Sequence, residues 1–174
     1  ILGCTAPVGD QGACVAKAAV QAAHWDEAVP GVQLDRFCAS GLEAVNMAAA
    51  KVGSDQEELV VAGGIESMSR IPMLSQGGAM FTDPDFVIDQ NSAPQGIGAD
   101  LIATIDGYSR EDVDAFAMES QRRAAHARDS GWFDRSVVPV KDENGLTILE
   151  RDDVIKPDTD MQKLGALNPS FAGM

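Results

Sequence analysis

Residues 33–42 have the sequence Q-L-D-R-F-C-A-S-G-L, and the two sides of this stretch predict different secondary structure. On the upstream side, Val32 and Leu34 alternate with polar residues, which is the period-2 pattern of a short strand. On the downstream side, apolar residues recur at helical spacing through an alanine-rich segment that Gly53 is expected to end. Cys38 is therefore predicted to lie at a strand-to-helix junction, with Ser40 as the helix cap.

The neighbouring segments extend this junction into an α/β pattern. The run L-V-V-A at 59–62 is bounded by acidic residues and by two glycines, which predicts a strand buried on both faces. Strand, helix and strand together predict a βαβ unit with a right-handed crossover. Residues 1–4 predict the end of another strand, and residues 12–24 predict an alanine-rich, largely buried helix.

The position of Cys38 suggests a chemical role. The N–H groups and the dipole at a helix N-terminus favour negative charge, so a thiolate, or the oxyanion that it generates, is stabilised there. The alternative is that Cys38 is a small buried hydrophobic residue, as most free cysteines are. Its position alone leaves both interpretations open.

The second part of the chain has a different pattern, and a glycine- and proline-rich stretch at 71–98 separates it from the first. A short helix is predicted over 98–104, followed by a helix that Ser109 caps and that carries Val113 and Phe116 on its apolar stripe. Residues 137–140 and 146–150 predict a strand pair joined by an Asn-Gly turn, and a last short helix is predicted over 161–167. This is an α+β pattern.

Composition limits the functional classes. The chain has 174 residues, 45% of them hydrophobic, and a formal net charge of −14, which argues against nucleic acid as a partner. Its three cysteines form neither a disulfide framework nor a metal-ligand pair, so reduced thiols and no metal are expected. We expect no membrane segment and no secretion signal, and a cytoplasmic location, or an organelle lumen if a targeting segment was lost.

Five stretches, in this order, resemble the thiolase family of acyl-CoA acyltransferases. They are D-R-F-C-A-S-G-L-E-A-V-N-M-A-A-A-K-V at 35–52, V-V-A-G-G-I-E-S-M-S-R at 60–70, P-Q-G-I-G-A-D at 94–100, S-R-E-D-V-D-A-F-A-M-E-S-Q-R-R-A-A at 109–125, and F-D-R-S-V-V-P-V at 133–140. The resemblance implies a thiolase-like α/β fold: an N-terminal half with a mixed sheet and a buried helix, plus an inserted α+β loop domain. It assigns residues 1–69 to part of the N-terminal core and residues 70–174 to the CoA-binding loop domain.

The resemblance also implies a reaction. Cys38 matches the cysteine that accepts an acyl group, which is then transferred to CoA in 3-ketoacyl-CoA cleavage or joined to an acetyl-CoA enolate in condensation. Coenzyme A and acyl-CoA enter as substrates, and no tightly bound cofactor is expected. Family resemblance further implies a homo-oligomer, a dimer or a tetramer.

The family's remaining catalytic motifs are expected in a C-terminal thiolase domain that this sequence does not contain. They comprise an activating histidine, a second cysteine, and an Asn-Glu motif with another histidine. We therefore expect an internal fragment that is inactive alone. His24 and His126 are interpreted as structural residues, and Cys4 and Cys14 as buried thiols of low reactivity.

For CoA, the resemblance suggests the region from Lys156 to Phe171. Lys156 stands roughly where the family often has a basic residue near the nucleotide, and Leu167 and Phe171 stand where apolar side chains flank the ligand. Gln95 falls where some members have a residue that contacts the pantetheine or acyl part. The alternative is that Leu167 and Phe171 only pack the last helix.

Two other functions fit part of the sequence. A ketosynthase-type condensing enzyme also has a cysteine at a helix start, but its flanking sequence differs from this one. A non-catalytic thiolase-like subunit would bind acyl-CoA or a partner without turnover, although the retained Cys38 argues against it.

Overall fold

The computed structural model describes residues 1–171, which form two compact units, Ile1–Ser92 and a second that begins at Ala93. The elements of the first unit are β1 (Leu2–Gly3), α1 (Val15–Ala22), β2 (Gln33–Leu34), α2 (Ser40–Gly53), β3 (Gly63–Gly64), α3 (Ala79–Thr82) and α4 (Pro84–Asp89). The elements of the second are α5 (Gln95–Asp106), α6 (Arg110–Asp129), β4 (Val140–Lys141), β5 (Thr147–Leu149) and α7 (Met161–Gly165). None of the helices in residues 1–171 has the length and apolar character needed to cross a membrane.

The first unit is built on a parallel sheet with the strand order β2-β1-β3. Leu2 pairs with Gln33 on one side and with Gly63 on the other. The chain passes from β2 through α2 to β3, so the predicted strand–helix–strand unit is confirmed, with β1 lying between its two strands.

Small residues let α2 pack closely on this sheet. Its buried face consists of Ser40, Ala44 and Ala48, which are spaced four residues apart. A Cβ at Gly3 would overlap the backbone of Ser40, so only glycine lets β1 approach the first turn of α2 this closely. The start of α2 is thereby pressed against the central strand.

The strand predicted at 59–62 differs from the observed one. The ladder covers Gly63–Gly64, and Leu59 and Val61 are 83% and 54% exposed, so the prediction of burial on both faces was wrong. The neighbouring strand is β1, and the amino group of Ile1 already donates to the Val61 carbonyl at 2.7 Å.

The predicted helix at 12–24 is shorter and less buried than expected. It is confined to α1, in which Ala16 is the one buried residue. Ala13 and Cys14 have left-handed backbone angles, with φ of 50° and 68°, and these angles prevent an earlier start.

The segment after residue 69 remains attached to the first unit. Arg70 Nε donates to Asp10 Oδ2 at 2.7 Å, and Ile71 is buried. The boundary between the two compact units therefore lies at 92/93, whereas the family domain boundary that we place at 69/70 stays a prediction.

In the second unit, the cap and the hairpin were predicted correctly. Ser109 and Asp112 form a capping box at the start of α6, and β4 and β5 pair in antiparallel fashion around a turn with Gly145 at φ 82°. The apolar stripe was wrong, because Phe116 is 79% exposed and the buried residues of α6 are Asp114, Ala125 and Ala127.

Candidate active site

Cys38 lies in the turn between β2 and α2, two residues before the helix begins, and it is exposed. The preceding residue, Phe37, has a φ of 51°, a left-handed conformation that is costly for a residue with a Cβ. The Phe37 N–H donates to Asp35 Oδ1 at 2.8 Å, which fixes the entry to the turn. The chain is therefore held in a strained bend that presents the cysteine to solvent.

Ser40 does not cap α2, so that prediction was wrong. It is the first helical residue, and its hydroxyl accepts from the Arg36 N–H at 2.8 Å and donates to the Phe37 carbonyl at 2.6 Å. Ala39 occupies the cap position and makes no side-chain cap bond. The hydroxyl is turned back into the bend, so it secures the turn instead of the helix end.

A second hydroxyl reaches the same carbonyl from the segment that follows β1. Thr5 Oγ1 donates to the Phe37 oxygen at 2.9 Å, and the Ser40 N–H donates to it at 3.0 Å. Three donors therefore converge on the carbonyl that immediately precedes Cys38, and the long-range contact comes from Thr5.

Behind Thr5 lies a polar cluster that the sequence did not reveal. Gln11, only 2% exposed, donates its amide nitrogen to Glu66 Oε1 at 2.8 Å and to the Ala6 carbonyl at 3.0 Å. Its amide oxygen accepts from the Ser67 N–H at 2.5 Å, and Glu66 Oε2 accepts from the Thr5 N–H at 2.7 Å. Apart from the bond to Ala6, these partners are 55 to 61 residues apart, so no local pattern could have linked them.

Glu66 is held as a carboxylate in this cluster. Burial raises its pKa, but hydrogen bonds from the Gln11 side chain and from the backbone N–H of Thr5 outweigh burial, so the net pKa is lowered. The negative charge therefore persists beside the end of β1.

The three cysteines have different environments. Cys4 is 1% exposed, and burial raises the pKa of its thiol, with the Glu66 charge raising it further. Cys14 is half-buried, and its Sγ donates to the Gly31 carbonyl at 3.4 Å. The buried-hydrophobe interpretation thus fits Cys4 and does not fit the exposed Cys38.

The histidines do not complete a catalytic pair in the described part of the chain. His126 packs edge-on against Trp132 with ring centroids 5.6 Å apart, and His24 follows α1 in a left-handed conformation with φ 54°. Within residues 1–171, neither forms a hydrogen bond with Cys38.

In the second unit, two of the four residues proposed for CoA lie together. A Cβ at Gly96 would overlap the Phe171 ring, so this ring packs against the first turn of α5, where Gln95 is the first residue. Gln95 is exposed and Phe171 is half-buried.

The other two are attached to α6 at different points. The Lys156 N–H donates to Gln121 Oε1 at 2.7 Å, whereas the Leu167 carbonyl accepts from Arg110 Nη2 at 3.3 Å. Gln121 and Arg110 are separated by roughly 16 Å along the helix at 1.5 Å per residue. Leu167 is 61% exposed, and Lys156 is exposed, so both side chains remain accessible.

Arginines near this region pair with acids of their own helix. Arg122 and Arg123 both donate to Glu119, at 2.6 Å and 2.7 Å, as expected for a solvated salt-bridging role. Hydrogen bonds from Arg122 and then from Arg123 lower the pKa of Glu119 to about 2.

The fold and the site define an α/β protein that presents an exposed cysteine in a strained strand-to-helix turn. The family model for the thiolase N-terminal domain matches residues 1–174, and the chain belongs to this family.

Relatives and a solved structure agree with this assignment. The chain is 36% identical to a beta-ketoadipyl-CoA thiolase of Pseudomonas knackmussii, covering 97% of this chain and 46% of that protein. It is 31% identical to a 3-ketoacyl-CoA thiolase of Aliivibrio fischeri, covering 97% of this chain and 44% of that protein.

The crystal structure of the dimeric peroxisomal thiolase of Saccharomyces cerevisiae matches with a TM-score of 0.81 and 28% identity. The match covers 99% of this chain and 45% of that one. The chain thus spans less than half the length of these relatives.

Proposed function

We propose that this chain supplies the acyl-accepting part of a thiolase, with Cys38 as the nucleophile. The observation that carries the proposal is the exposed thiol in a strained turn at the uncapped start of α2, within a chain of the thiolase family. A buried, inert cysteine would not need such a turn.

The proposed reaction has two covalent steps. The Cys38 thiolate attacks the C3 carbonyl of a 3-ketoacyl-CoA, and the C2–C3 bond breaks with its electron pair moving to C2. The resulting enolate takes up a proton and leaves as acetyl-CoA, while the acyl group stays on Cys38 as a thioester. A CoA thiolate then attacks this thioester and expels the Cys38 thiolate. Condensation of acetyl-CoA units is the reverse sequence.

The location of Cys38 suits both steps. A thiolate is a good nucleophile and a good leaving group, so the acyl-enzyme forms and breaks at the same sulfur. Backbone N–H groups and the dipole at the start of α2 favour negative charge on the sulfur and on a carbonyl oxygen beside it. The proton transfers require groups other than those found around Cys38 in residues 1–171.

For substrate and surroundings, the names of the relatives support 3-keto thioesters of CoA, with CoA binding assigned to residues 70–174 and no tightly bound cofactor. Gln95 and Phe171 would meet the ligand at the start of α5, Leu167 at the start of α6, and Lys156 further along α6, beside Gln121. We further infer a homo-oligomer, since the matching yeast enzyme is described as dimeric, and a location in the cytoplasm or an organelle lumen, with neither nucleic acid nor membrane as a partner.

The test is to locate the acyl group. The full-length polypeptide that carries this chain is incubated with acetyl-CoA or a 3-ketoacyl-CoA and digested, and the cysteine-containing peptides are measured by mass spectrometry. We expect an acyl mass on Cys38 that CoA removes, no adduct in Cys38→Ser, and at least about a 10³-fold loss of turnover in that variant. Cys14→Ser is the matched control and should retain adduct and turnover.

Two outcomes contradict the proposal: an adduct on Cys4 or Cys14 that persists in Cys38→Ser, or no adduct on any cysteine. If the protein binds CoA thioesters without forming an adduct, it is a non-catalytic subunit instead. Residues 1–174 alone should show slow or no thiolysis, with Cys38 alkylated faster than Cys4 and Cys14.

A further inference from the structure

We propose that the Thr5 hydroxyl is a positioning group for Cys38, held in place by the Gln11–Glu66 cluster. The inference rests on the proposed function for its catalytic consequence, but its geometric basis is independent. Thr5 lies just after β1 and belongs to neither β2 nor α2, yet its hydroxyl reaches the carbonyl of the residue before the cysteine.

The backbone of Phe37 is strained. A residue with a Cβ stays in the left-handed region only when its surroundings favour that conformation over the extended one. The Phe37 carbonyl accepts from the Ser40 hydroxyl and N–H, which lie within the same turn, and from Thr5, which does not. Thr5 thus contributes the one described hydrogen bond that ties this carbonyl to a residue outside the turn.

Thr5 is itself held in place by the Gln11–Glu66 cluster. Its backbone N–H donates to Glu66, and Glu66 accepts from Gln11, whose other bonds join residue 6 to residue 67. Gln11 is almost fully buried and each of its polar atoms has a partner, so the cluster forms a rigid support. The Thr5 hydroxyl is therefore held at a defined distance from Phe37.

Movement of the turn at Phe37 would displace the Cys38 thiol. A reacting group must be held close to its attack geometry, and small displacements cost large factors in rate. Releasing the Phe37 carbonyl on one side lets the turn relax, so the sulfur spends less time beside the start of α2. Both alkylation and acylation of Cys38 should become slower, whereas the KM for CoA, assigned to the second unit, should not change.

The experiment uses the full-length polypeptide with three variants. Thr5→Val removes the hydroxyl but keeps the shape and the N–H to Glu66, Thr5→Ser keeps the hydroxyl, and Thr82→Val removes a hydroxyl that only donates to Gly78 at 3.0 Å. Two rates are measured, alkylation of Cys38 by iodoacetamide and acyl-enzyme formation at saturating 3-ketoacyl-CoA, together with the KM for CoA in turnover.

For Thr5→Val we expect both rates to fall roughly three- to tenfold, the size of one lost hydrogen bond, with KM unchanged. Thr5→Ser and Thr82→Val should behave as the parent protein. Ser40→Ala, which removes the other hydroxyl donor to Phe37, should slow both rates as well. If Thr5→Val does not fold, Thr5→Ala, which also keeps the N–H to Glu66, is the second variant and should show the same fall.

The proposal is overturned if Thr5→Val reacts at the parent rate, or if Thr5→Ser is as slow as Thr5→Val. These results are separable from failure of the thiolase assignment. If the parent protein forms no acyl adduct, the proposed function fails, while the alkylation rates still decide whether Thr5 positions Cys38.

Discussion

The N-termini of α2 and α6 differ in how their first turns are stabilised, and only the start of α2 lies beside the proposed nucleophile. At α6, Ser109 and Asp112 satisfy each other's N–H groups in a capping box. At α2, Ala39 provides no cap, and the nearby Ser40 hydroxyl is bonded to Phe37 instead. Both helices have a serine close to their start, but only α6 uses it to close the helix end.

The start of α2, beside the proposed nucleophile Cys38, therefore lacks the local stabilisation that a cap provides. A cap typically contributes about 1 kcal/mol, and a left-handed Phe37 adds a cost instead of a gain. At α2 the compensating interactions come from a distance, through Thr5, Gln11 and the close packing of Gly3.

A charge placed at the uncapped terminus should have the largest effect on this comparison. In Ala39→Asp, a carboxylate would lie next to Cys38 and oppose a thiolate and an oxyanion there. Ala39 has φ −92° and ψ 6°, which is not the extended conformation of a capping residue, so the effect should be electrostatic and not one of capping. We expect the acylation rate to fall roughly tenfold, which corresponds to an activation free energy about 1.4 kcal/mol higher.

The matched control is Ala39→Asn, which has nearly the same shape without the charge and should stay close to the parent rate. Acylation is measured by rapid quench and mass spectrometry at low and high salt, because salt screens an exposed charge. Equal loss in both variants, independent of salt, would mean that the N-terminus of α2 acts through shape alone.

Removing the cap of α6 should have a smaller effect, confined to stability. Ser109→Ala removes the one hydroxyl that both accepts from the Asp112 N–H and donates to the Asp112 carboxylate. We expect the opening free energy of the first turns of α6 to fall by about 1 kcal/mol, measured by hydrogen exchange, with acylation unchanged.

The control for this variant is Ser136→Ala, since Ser136 donates to the Phe133 carbonyl outside any helix. Hydrogen bonds from the Ser109 N–H and then its hydroxyl lower the pKa of Asp112. The stability that these bonds to the carboxylate contribute is therefore present above the ordinary pKa of an aspartate, and it is lost as pH falls through the lowered pKa. A difference between Ser109→Ala and parent that persisted at that low pH would come from the bond to the Asp112 N–H alone.

The same contrast explains which predictions from sequence were correct. The Ser109 cap, the turn at Gly145 and the end of α2 at Gly53 depend on residues within a few positions of each other, and local patterns are sufficient for these. The patterns on its two sides also placed Cys38 at a strand-to-helix junction, and this position is confirmed, whereas its role as the nucleophile stays a prediction.

The incorrect predictions concern features that local patterns do not determine. Serine is a preferred capping residue, but the Ser40 hydroxyl donates to the Phe37 carbonyl and accepts from the Arg36 N–H instead. Phe116 follows a helical apolar spacing, yet it is exposed among the described residues, while Asp114 is buried and paired with Arg110 at 2.8 Å. Gln11 was missed because its partners are distant in sequence.

The smallest effect is expected within α6, where the stabilising pairs are exposed. Glu119→Gln removes the carboxylate that Arg122 and Arg123 share, and because their hydrogen bonds lower its pKa to about 2, its contribution is present above the ordinary pKa of a glutamate. That contribution should disappear as pH falls toward 2 and weaken with salt. We expect hydrogen exchange in the middle of α6 to speed up by roughly twofold or less near neutral pH, since exposed pairs contribute little.

Glu143→Gln, in the exposed turn between β4 and β5, is the control and should leave α6 unchanged. An effect as large as that of Ser109→Ala would mean that α6 depends on its ion pairs as much as on its cap, and the contrast with α2 would then be one of charge and not of capping.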